Sequence, residues 1–350
     1  MPALHNRTPF SAVDFFAVDK EARDLLVICV SGTFDLRRAT SADFVPPPAD
    51  EQPPPPLAEE WSGEPAASSL RRDSQAVYTR PGTDVVVWGN AVGPRGRPVT
   101  QLHVSLRAGP IVRRALVSGN RVWRRGAHGL SPSEPVPFES IPLVYERAFG
   151  GAAPAAPTGP QAAPSPPAFC APNPIGLGFY TSEKDAAEHP LANIEDEAAP
   201  VRGPLDHPAP FGFGPVPRHF QPRLGLAGTY DDPWREQRAP LWPVDLDERF
   251  FQGAPAGAVA TPHLRGGEPF SLEGMSAEGP ITFSLPLQRL AARVTLRGKR
   301  EVRSLRLDAV AIDTDDRKLT LIWRAAFPAH RALARLTETL VRYQRPEDPS

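Results

Sequence analysis

The sequence predicts a mainly β protein, built from antiparallel sheets arranged as a sandwich or an open barrel, with a long irregular loop region. Short apolar runs and alternating apolar and polar residues recur in the first 150 residues and in the last third of the chain. The segment between them is rich in Gly, Pro, Asn and Asp, which disfavour long helices and central strands. With 350 residues, of which 41% are hydrophobic, the chain can bury a full core.

The first predicted strands lie near the N-terminus. Residues 25–30 form a β-branched apolar run, and residues 85–88 repeat that pattern, which is typical of strands buried on both faces. Residues 101–108 alternate apolar and polar side chains, which predicts a half-buried strand. We expect a hairpin to follow over residues 111–123, with its turn at residues 118–120.

A second series of strands is predicted near the C-terminus. Residues 281–285, 305–312 and 319–323 alternate in the same way, and the series ends near residue 328. Residues 337–343 fit a final strand, although the spacing of the nearby leucines also fits a helix. We favour the strand.

The predicted strands and loops divide the chain into four segments. These are an N-terminal β subdomain (1–150), a Pro/Ala-rich linker (151–172), a loop-rich region (173–267) and a C-terminal β subdomain (268–350). Two Pro-rich inserts, at residues 45–57 and 152–174, are expected to be extended or disordered linkers. The sequence leaves open whether the two β regions share one core, and we favour two packed subdomains in one cooperative unit.

Composition narrows the classes of partner and the compartment. The 39 Lys and Arg residues balance 40 acidic residues, so no net charge favours nucleic acid or an anionic membrane. Cys29 and Cys170 form no C-x-x-C pair, and Cys29 fits a small buried hydrophobe. No signal-peptide pattern begins the sequence, and no apolar run approaches the length of a membrane span. We expect a cytoplasmic protein.

Catalytic and metal-binding signatures are missing from the sequence. No two histidines have the i, i+2 or i, i+4 spacing of a metal pair, and no P-loop, G-x-S-x-G or H-E-x-x-H motif occurs. We therefore expect no catalytic residues, no metal and no cofactor. Four loop residues are expected to cap turns by accepting backbone N–H groups: Asn173, Asn193, Asp231 and Asp245. The alternative is a carbohydrate-active or metal-dependent hydrolase that uses His219, Asp231 and Asp247.

Aromatic and Arg side chains are interleaved across residues 211–251. These residue types dominate the energetic centres of protein–protein interfaces. They can equally anchor irregular loops onto a β core. We predict a partner-binding surface that contains Arg218, His219, Tyr230, Trp234, Arg235, Arg249, Phe250 and Phe251.

Several motifs resemble those of one bacterial family, and they occur in the same order over nearly the whole chain. They include LHNRTPF at residues 4–10, PLVYERAFGG at 142–151, NPIG at 173–176, GFGP at 212–215 and AGTYD at 227–231. This family, catalogued as a domain of unknown function, is encoded near type VI secretion spike genes. The resemblance implies a cytoplasmic adaptor or chaperone that loads a toxic effector onto the VgrG–PAAR spike without catalysis or a cofactor. A structural component of the secretion particle is a further alternative.

Overall fold

A computed structural model of the chain describes residues 3–154, 167–329 and 333–349. Within these ranges the protein is mainly β, with several antiparallel sheets and none closed into a barrel. This arrangement confirms the predicted fold class. The helices are short: α1 is Glu183–Ala186 and α2 is Asp232–Gln237. Single 3-10 turns lie at Pro94–Gly96, Tyr145–Arg147, Leu224–Ala227, Glu248–Phe251 and Leu333–Arg335.

Strands occur along the whole described chain. In order they are β1 (Leu4–Asn6), β2 (Ser11–Val18), β3 (Asp24–Asp35), β4 (Glu60–Trp61), β5 (Leu70–Arg72), β6 (Thr83–Trp88), β7 (Asn90–Val92), β8 (Gln101–Ala108), β9 (Ile111–Ser118), β10 (Trp123–Gly126), β11 (Gly129–Pro132), β12 (Ser140–Pro142), β13 (Phe149–Gly150), β14 (Leu177–Gly178), β15 (Ile194–Asp196), β16 (Val259–Ala260), β17 (Pro269–Glu273), β18 (Ile281–Ser284), β19 (Leu290–Leu296), β20 (Lys299–Ser304), β21 (Arg306–Asp313), β22 (Lys318–Pro328) and β23 (Leu336–Tyr343). In the described part of the loop-rich region, strands span at most three residues, as its Gly- and Pro-rich sequence predicts.

The largest sheet combines strands from both ends of the chain. Its order is β16-β6-β21-β22-β3-β2. β21 pairs in parallel with β6, whereas the other pairs in this sheet are antiparallel. β3 contains the run predicted to be buried on both faces, and it lies between β22 and β2 with nearly every residue buried.

Two further sheets have five strands, in the order β15-β9-β8-β17-β18, and four strands, in the order β1-β23-β19-β20. One cluster of buried apolar side chains draws on all three sheets, for example through Phe34, Leu106, Phe283 and Val341. The two β regions therefore both contribute to one core, which answers the question that the sequence leaves open. The bounds of the four segments remain predictions.

The predicted hairpin over residues 111–123 is wrong in its pairing. β9 pairs with the preceding strand β8, and Ala108 lies opposite Ile111 across a two-residue turn. Gly109 in this turn has a φ of 55°, a left-handed conformation that suits tight hairpin turns. β10 pairs with β11 instead. Residues 118–120 therefore connect two different sheets.

The Pro-rich insert at residues 45–57 is packed against a strand, contrary to the prediction of an extended or disordered linker. The N–H of Ala49 donates to the carbonyl of Thr33 at 2.9 Å. The side-chain amide of Gln52 continues the pairing, since it bonds both the N–H and the C=O of Thr33 at 2.8 Å. The insert thereby covers the end of β3 beyond its pairing with β2.

Residues 155–166 of the second insert lie outside the described residues, and the prediction for this insert falls mostly on them. Its described end is packed, since Cys170 and Asn173 are buried. The C-terminal segment forms β23, which confirms the choice of a strand over a helix. Among the described residues, no helix is both long and apolar enough to cross a membrane.

Candidate protein-binding surface

Residues 224–251, here called the aromatic lobe, contain α2 and two 3-10 turns. The sequence sets where α2 begins: the Asp231 carboxylate accepts the N–H of Trp234 at 2.8 Å, and Pro233 occupies the first turn. An acidic N-cap and a proline in the first turn both favour helix initiation. Asp247 caps the second 3-10 turn by accepting the N–H of Arg249 at 2.9 Å.

A side-chain clasp closes the aromatic lobe. The Asp245 carboxylate accepts the N–H of Thr229 at 3.0 Å and its hydroxyl at 2.7 Å. These two hydrogen bonds lower the pKa of Asp245, because they favour its ionised form. Nearby, the N–H of Asp247 donates to the carbonyl of Leu226 at 3.0 Å. The predicted turn-capping role of Asp231 is confirmed, whereas Asp245 joins two segments that are 16 residues apart instead of capping a turn.

The base of the aromatic lobe is an aromatic cluster on the face of β2 and β3. Trp242 makes edge contacts with Phe250 and Phe251 at centroid distances of 6.4 and 5.5 Å. Phe251 in turn contacts Tyr78 at 5.0 Å. The indole N–H of Trp242 donates to the carbonyl of Val18 at 3.2 Å, at the end of β2. The lobe is therefore held by apolar packing and by directed hydrogen bonds.

The opposite side of the aromatic lobe exposes apolar and charged side chains. Tyr230 is 51% exposed and Val244 is 74% exposed. The Tyr230 ring contacts the Trp234 ring edge-on at 4.6 Å, and the Trp234 indole N–H donates to the carbonyl of Leu241 at 2.9 Å. Arg235 is also exposed and pairs with Asp232 at 2.9 Å. Rings fixed in this way lose little conformational freedom on binding.

The predicted binding residues divide into three groups. His219, Tyr230, Arg235 and Arg249 are exposed, and Arg218 and Trp234 are half-buried. Phe250 and Phe251 are 7% and 1% exposed, so they anchor the lobe and leave little surface for a partner. The two phenylalanines are buried because both pack on Trp242 and Phe251 also packs on Tyr78. The residue type alone does not show whether a phenylalanine is buried or exposed.

Arg218 and His219 lie beside the aromatic lobe, against β4. The Arg218 guanidinium lies 3.5 Å from the Glu59 carboxylate and 5.9 Å from the centre of the Phe250 ring. His219 contacts the Trp61 ring at 5.9 Å and the Phe220 ring at 4.8 Å. These two residues therefore form a separate group, which contacts the lobe through the Phe250 ring.

A buried network of charges ties the aromatic lobe to the sheet, and the sequence reasoning did not identify it. Asp73 accepts hydrogen bonds from Arg80 at 3.1 Å and from Arg223 at 2.9 Å. Arg80 also pairs with Asp84. Arg223 donates to the carbonyl of Phe250 at 2.9 Å. Burial disfavours the charged form of Asp73, but Arg223 and Arg80 outweigh it and hold the pKa of Asp73 below its ordinary value.

A second buried ion pair, between Asp308 and Arg324 at 2.6 Å, belongs to the same region. Arg324 also donates to the carbonyls of Gln75 and Val77 at 2.8 and 2.6 Å. A register shift in β21 next to Asp308 changes the alternation there, as β-bulges do when they redirect a side chain. The sequence offered one signal for this pair, because Asp308 is an acidic residue within the otherwise apolar strand pattern of β21.

Asn173 and Asn193 are buried, and their amides donate to backbone carbonyls instead of accepting backbone N–H groups as predicted; the Asn193 Oδ1 accepts the Arg147 guanidinium at 3.2 Å. The Asn173 amide donates to the carbonyls of Tyr145 and Phe149 at 2.8 and 3.0 Å. The Asn193 amide donates to the carbonyl of Ser118 at 3.0 Å. Loop carbonyls that are removed from water need such donors. Asn173, the first residue of the NPIG motif, and Asn193 therefore hold neighbouring segments together.

The three residues of the hydrolase alternative have separate local roles. His219 packs on aromatic rings, Asp231 caps α2, and Asp247 caps a 3-10 turn and pairs with Arg249 at 2.6 Å. Within residues 3–154, 167–329 and 333–349, no group of three His, Cys, Asp or Glu side chains is placed to hold a metal ion.

Sequence comparison relates the chain to a bacterial family. Residues 21–324 match the family described as "Uncharacterized protein conserved in bacteria (DUF2169)". The match includes the buried charge network and the aromatic lobe. No curated protein and no solved structure matches the chain.

Proposed function

This chain belongs to that bacterial family, and we propose that it is an adaptor that binds a toxic effector and helps to load it onto the VgrG–PAAR spike of a type VI secretion system. The protein-binding part of the proposal rests on the exposed face of the aromatic lobe. The link to secretion rests on the motif resemblance, from LHNRTPF to AGTYD.

The observation that carries the proposal is the contrast between the two sides of the aromatic lobe. Its base is fixed by Trp242, Phe250 and Phe251, while Tyr230, Val244 and Arg235 face outwards. Aromatic and Arg side chains on a rigid support are typical of residues that contribute most to protein–protein binding.

A stable interface needs about 800 Å² from each partner, which is more than the Tyr230 region offers alone. We therefore infer that the contact extends to the neighbouring exposed residues, including Leu224 and Arg249. We infer that it also reaches His219 and Arg218, which pack beside the lobe on Trp61 and Glu59. This larger surface includes all predicted binding residues except the two buried phenylalanines.

The test is co-purification from the source bacterium with the tagged full-length protein as bait. Recovered proteins are quantified by mass spectrometry for the wild type, for a Tyr230→Ala/Arg235→Ala variant and for a matched Tyr343→Ala/Arg345→Ala control. The control removes an exposed Tyr and an exposed Arg from a different surface. Both variants are first compared with the wild type by circular dichroism and thermal melting.

We expect the wild type and the control to recover a toxin-like protein together with VgrG or PAAR proteins. The lobe variant should recover at least about tenfold less, the effect of losing roughly 1.4 kcal/mol of binding free energy. Equal recovery by the folded lobe variant would remove the aromatic lobe from the proposal. Recovery of no VgrG, PAAR or toxin protein by the wild type would overturn the secretion role.

A further inference from the structure

β2 differs from the other edges of the three large sheets in how it is protected. β16, β15 and β1 span two or three residues. β18 is covered because Thr282 and Ser284 donate to the carbonyls of Ala39 and Phe44. β20 reads KREVRS and is highly charged. Short length, coverage and charge are three ways in which proteins prevent unwanted strand pairing.

Among the described residues, β2 is not short, it is covered only at its Val18 end, and Asp14 is its single charge. It is eight residues long, reads SAVDFFAV, and contains one charged residue and no Pro, Gly or Lys. Half of the backbone groups of an edge strand point away from its sheet. In the described part of the chain, these outer groups receive a single hydrogen bond, from Trp242 to the carbonyl of Val18. The remaining outer groups offer a template for another strand.

The side chains of β2 indicate what kind of strand fits there. Asp14 and Phe16 share one face, since they lie opposite Ile28 and Leu26 of β3. Phe16 is 43% exposed. One carboxylate oxygen of Asp14, Oδ2, is removed from solvent and has no hydrogen-bond partner among the described residues. Burial raises the pKa of Asp14 in spite of the groups that lower it, and a cation in direct contact with the carboxylate would favour its charged form further.

We propose that β2 is a docking edge for an extended segment of a partner protein, which adds a strand beside residues 11–18. The segment is apolar except for one Lys or Arg that faces Asp14. In strand addition, main-chain hydrogen bonds supply affinity and the alternating side chains supply selectivity. The single carboxylate in an otherwise uncharged strand sets that selectivity by charge complementarity.

Charge complementarity favours a different protein over a second copy of this chain. Residues opposite each other across an antiparallel pair lie on the same face. Two copies of β2 would therefore place Asp14 opposite Ala12, Asp14 or Phe16, depending on the register. None of these registers supplies a cation, and one sets two carboxylates against each other.

This edge is distinct from the exposed face of the aromatic lobe. Phe15 and Ala17 point to the opposite side of β2, where they pack against the cluster beneath the lobe. A partner bound to the lobe can therefore reach the edge without displacing either element. Failure of the strand-addition proposal leaves the role of the lobe intact, because Tyr230 and Arg235 are not part of β2.

The test uses a display library of random ten-residue peptides selected on the immobilised full-length protein. Enriched peptides are synthesised with a fluorophore, and their affinities are measured by anisotropy for the wild type, Asp14→Lys and Asp14→Asn. Asp232→Lys, which reverses an exposed carboxylate on the lobe, is the matched control. Hydrogen–deuterium exchange then maps where the peptides bind.

We expect enriched peptides with one Lys or Arg among apolar residues, and protection on binding of the outward-pointing amides of Ala12, Asp14 and Phe16, which do not bond β3. Asp14→Lys should weaken binding by at least about tenfold, Asp14→Asn less, and Asp232→Lys by less than about twofold. The isosteric Asp14→Asn keeps the test valid if Asp14→Lys disturbs folding. Failure to enrich any peptide would overturn the proposal, as would binding without protection of β2. It would also fail if both Asp14 variants bound the peptides as tightly as the wild type does.

Discussion

Two sets of charged pairs in this protein have the same chemistry and opposite surroundings. In the buried network, Arg80 and Arg324 are each 1% exposed and pair with Asp73, Asp84 and Asp308. On the aromatic lobe, Arg235 pairs with Asp232, and both side chains are more than 60% exposed. The comparison separates the charges that hold the fold from those that remain available to a partner.

The difference in surroundings determines what each pair contributes. Water screens an exposed pair and leaves it a small net stability. A buried pair brings little net stability over an apolar replacement, but removal of one partner is costly because it strands the other charge away from water. The buried pairs also join distant parts of the chain, since Asp73 lies before β6 and Arg223 lies next to the aromatic lobe. We therefore expect single substitutions to separate the two sets.

The largest effect is expected for Arg324→Met. This change strands the Asp308 carboxylate, which is completely buried, and frees the carbonyls of Gln75 and Val77. We expect a loss of about 3–5 kcal/mol in the free energy of unfolding, measured by urea denaturation. The double variant Arg324→Met/Asp308→Asn removes the stranded charge and should recover part of the loss. A double variant less stable than Arg324→Met would contradict this account.

Phe251 tests whether a residue predicted to bind a partner is an anchor. Phe251→Ala should cost about 3 kcal/mol, because it leaves a cavity between Trp242 and Tyr78. Phe251→Leu nearly conserves volume and should cost less than about 1.5 kcal/mol. Partner recovery by folded Phe251→Leu should match the wild type. A large loss of recovery at unchanged stability would assign Phe251 to the binding surface after all.

Asp73 should give the buried network a measurable dependence on pH. Its pKa is lowered in the folded state by Arg223 and Arg80, in spite of burial. The resulting stability is present above the unfolded value of about 3.9 and is lost as the pH falls through the lower folded value.

Asp73→Asn should cost about 2 kcal/mol at pH 7 and should flatten the decline in stability below about pH 4. Urea midpoints at pH 7, 5, 4 and 3 measure both effects. The exposed substitution Asp232→Asn is the control, and its profile should run parallel to that of the wild type. A profile for Asp73→Asn that falls as steeply as that of the wild type would contradict the assignment.

The sequence predicted the features that depend on local patterns. The buried run in β3 and the alternation in β8 and β18 follow from local apolar patterns, and the final strand β23 follows from the strand propensity of residues 337–343. Pairing was harder to predict, because β21 joins β6 through residues that are far apart in the chain. The hairpin error has a different origin, since β8 and β9 are adjacent in the chain, and Gly109 and residues 118–120 both fit a turn.

Burial of polar and aromatic side chains escaped prediction for a related reason. Arg80 and Asp73 look like surface residues in the sequence, and only the folded chain brings them together. Tyr230 and Phe251 belong to one aromatic-rich segment, yet one is exposed and the other is buried. The binding surface could be located to a segment, but its individual residues depend on tertiary packing. The Pro-rich insert at 45–57 packs because Gln52 supplies a donor that proline lacks.

The smallest effect on stability is expected at the exposed pair. Arg235→Ala removes one partner of an ion pair that water screens, and Asp232 remains solvated near the start of α2. The melting temperature should change by no more than about 1 °C, since a loss of a few tenths of a kcal/mol has little effect in a chain of this size. A shift of several degrees would show that exposed charges also hold the lobe, and the contrast between the two sets would fail. Unchanged stability together with weaker partner recovery would instead show that this charge acts in binding.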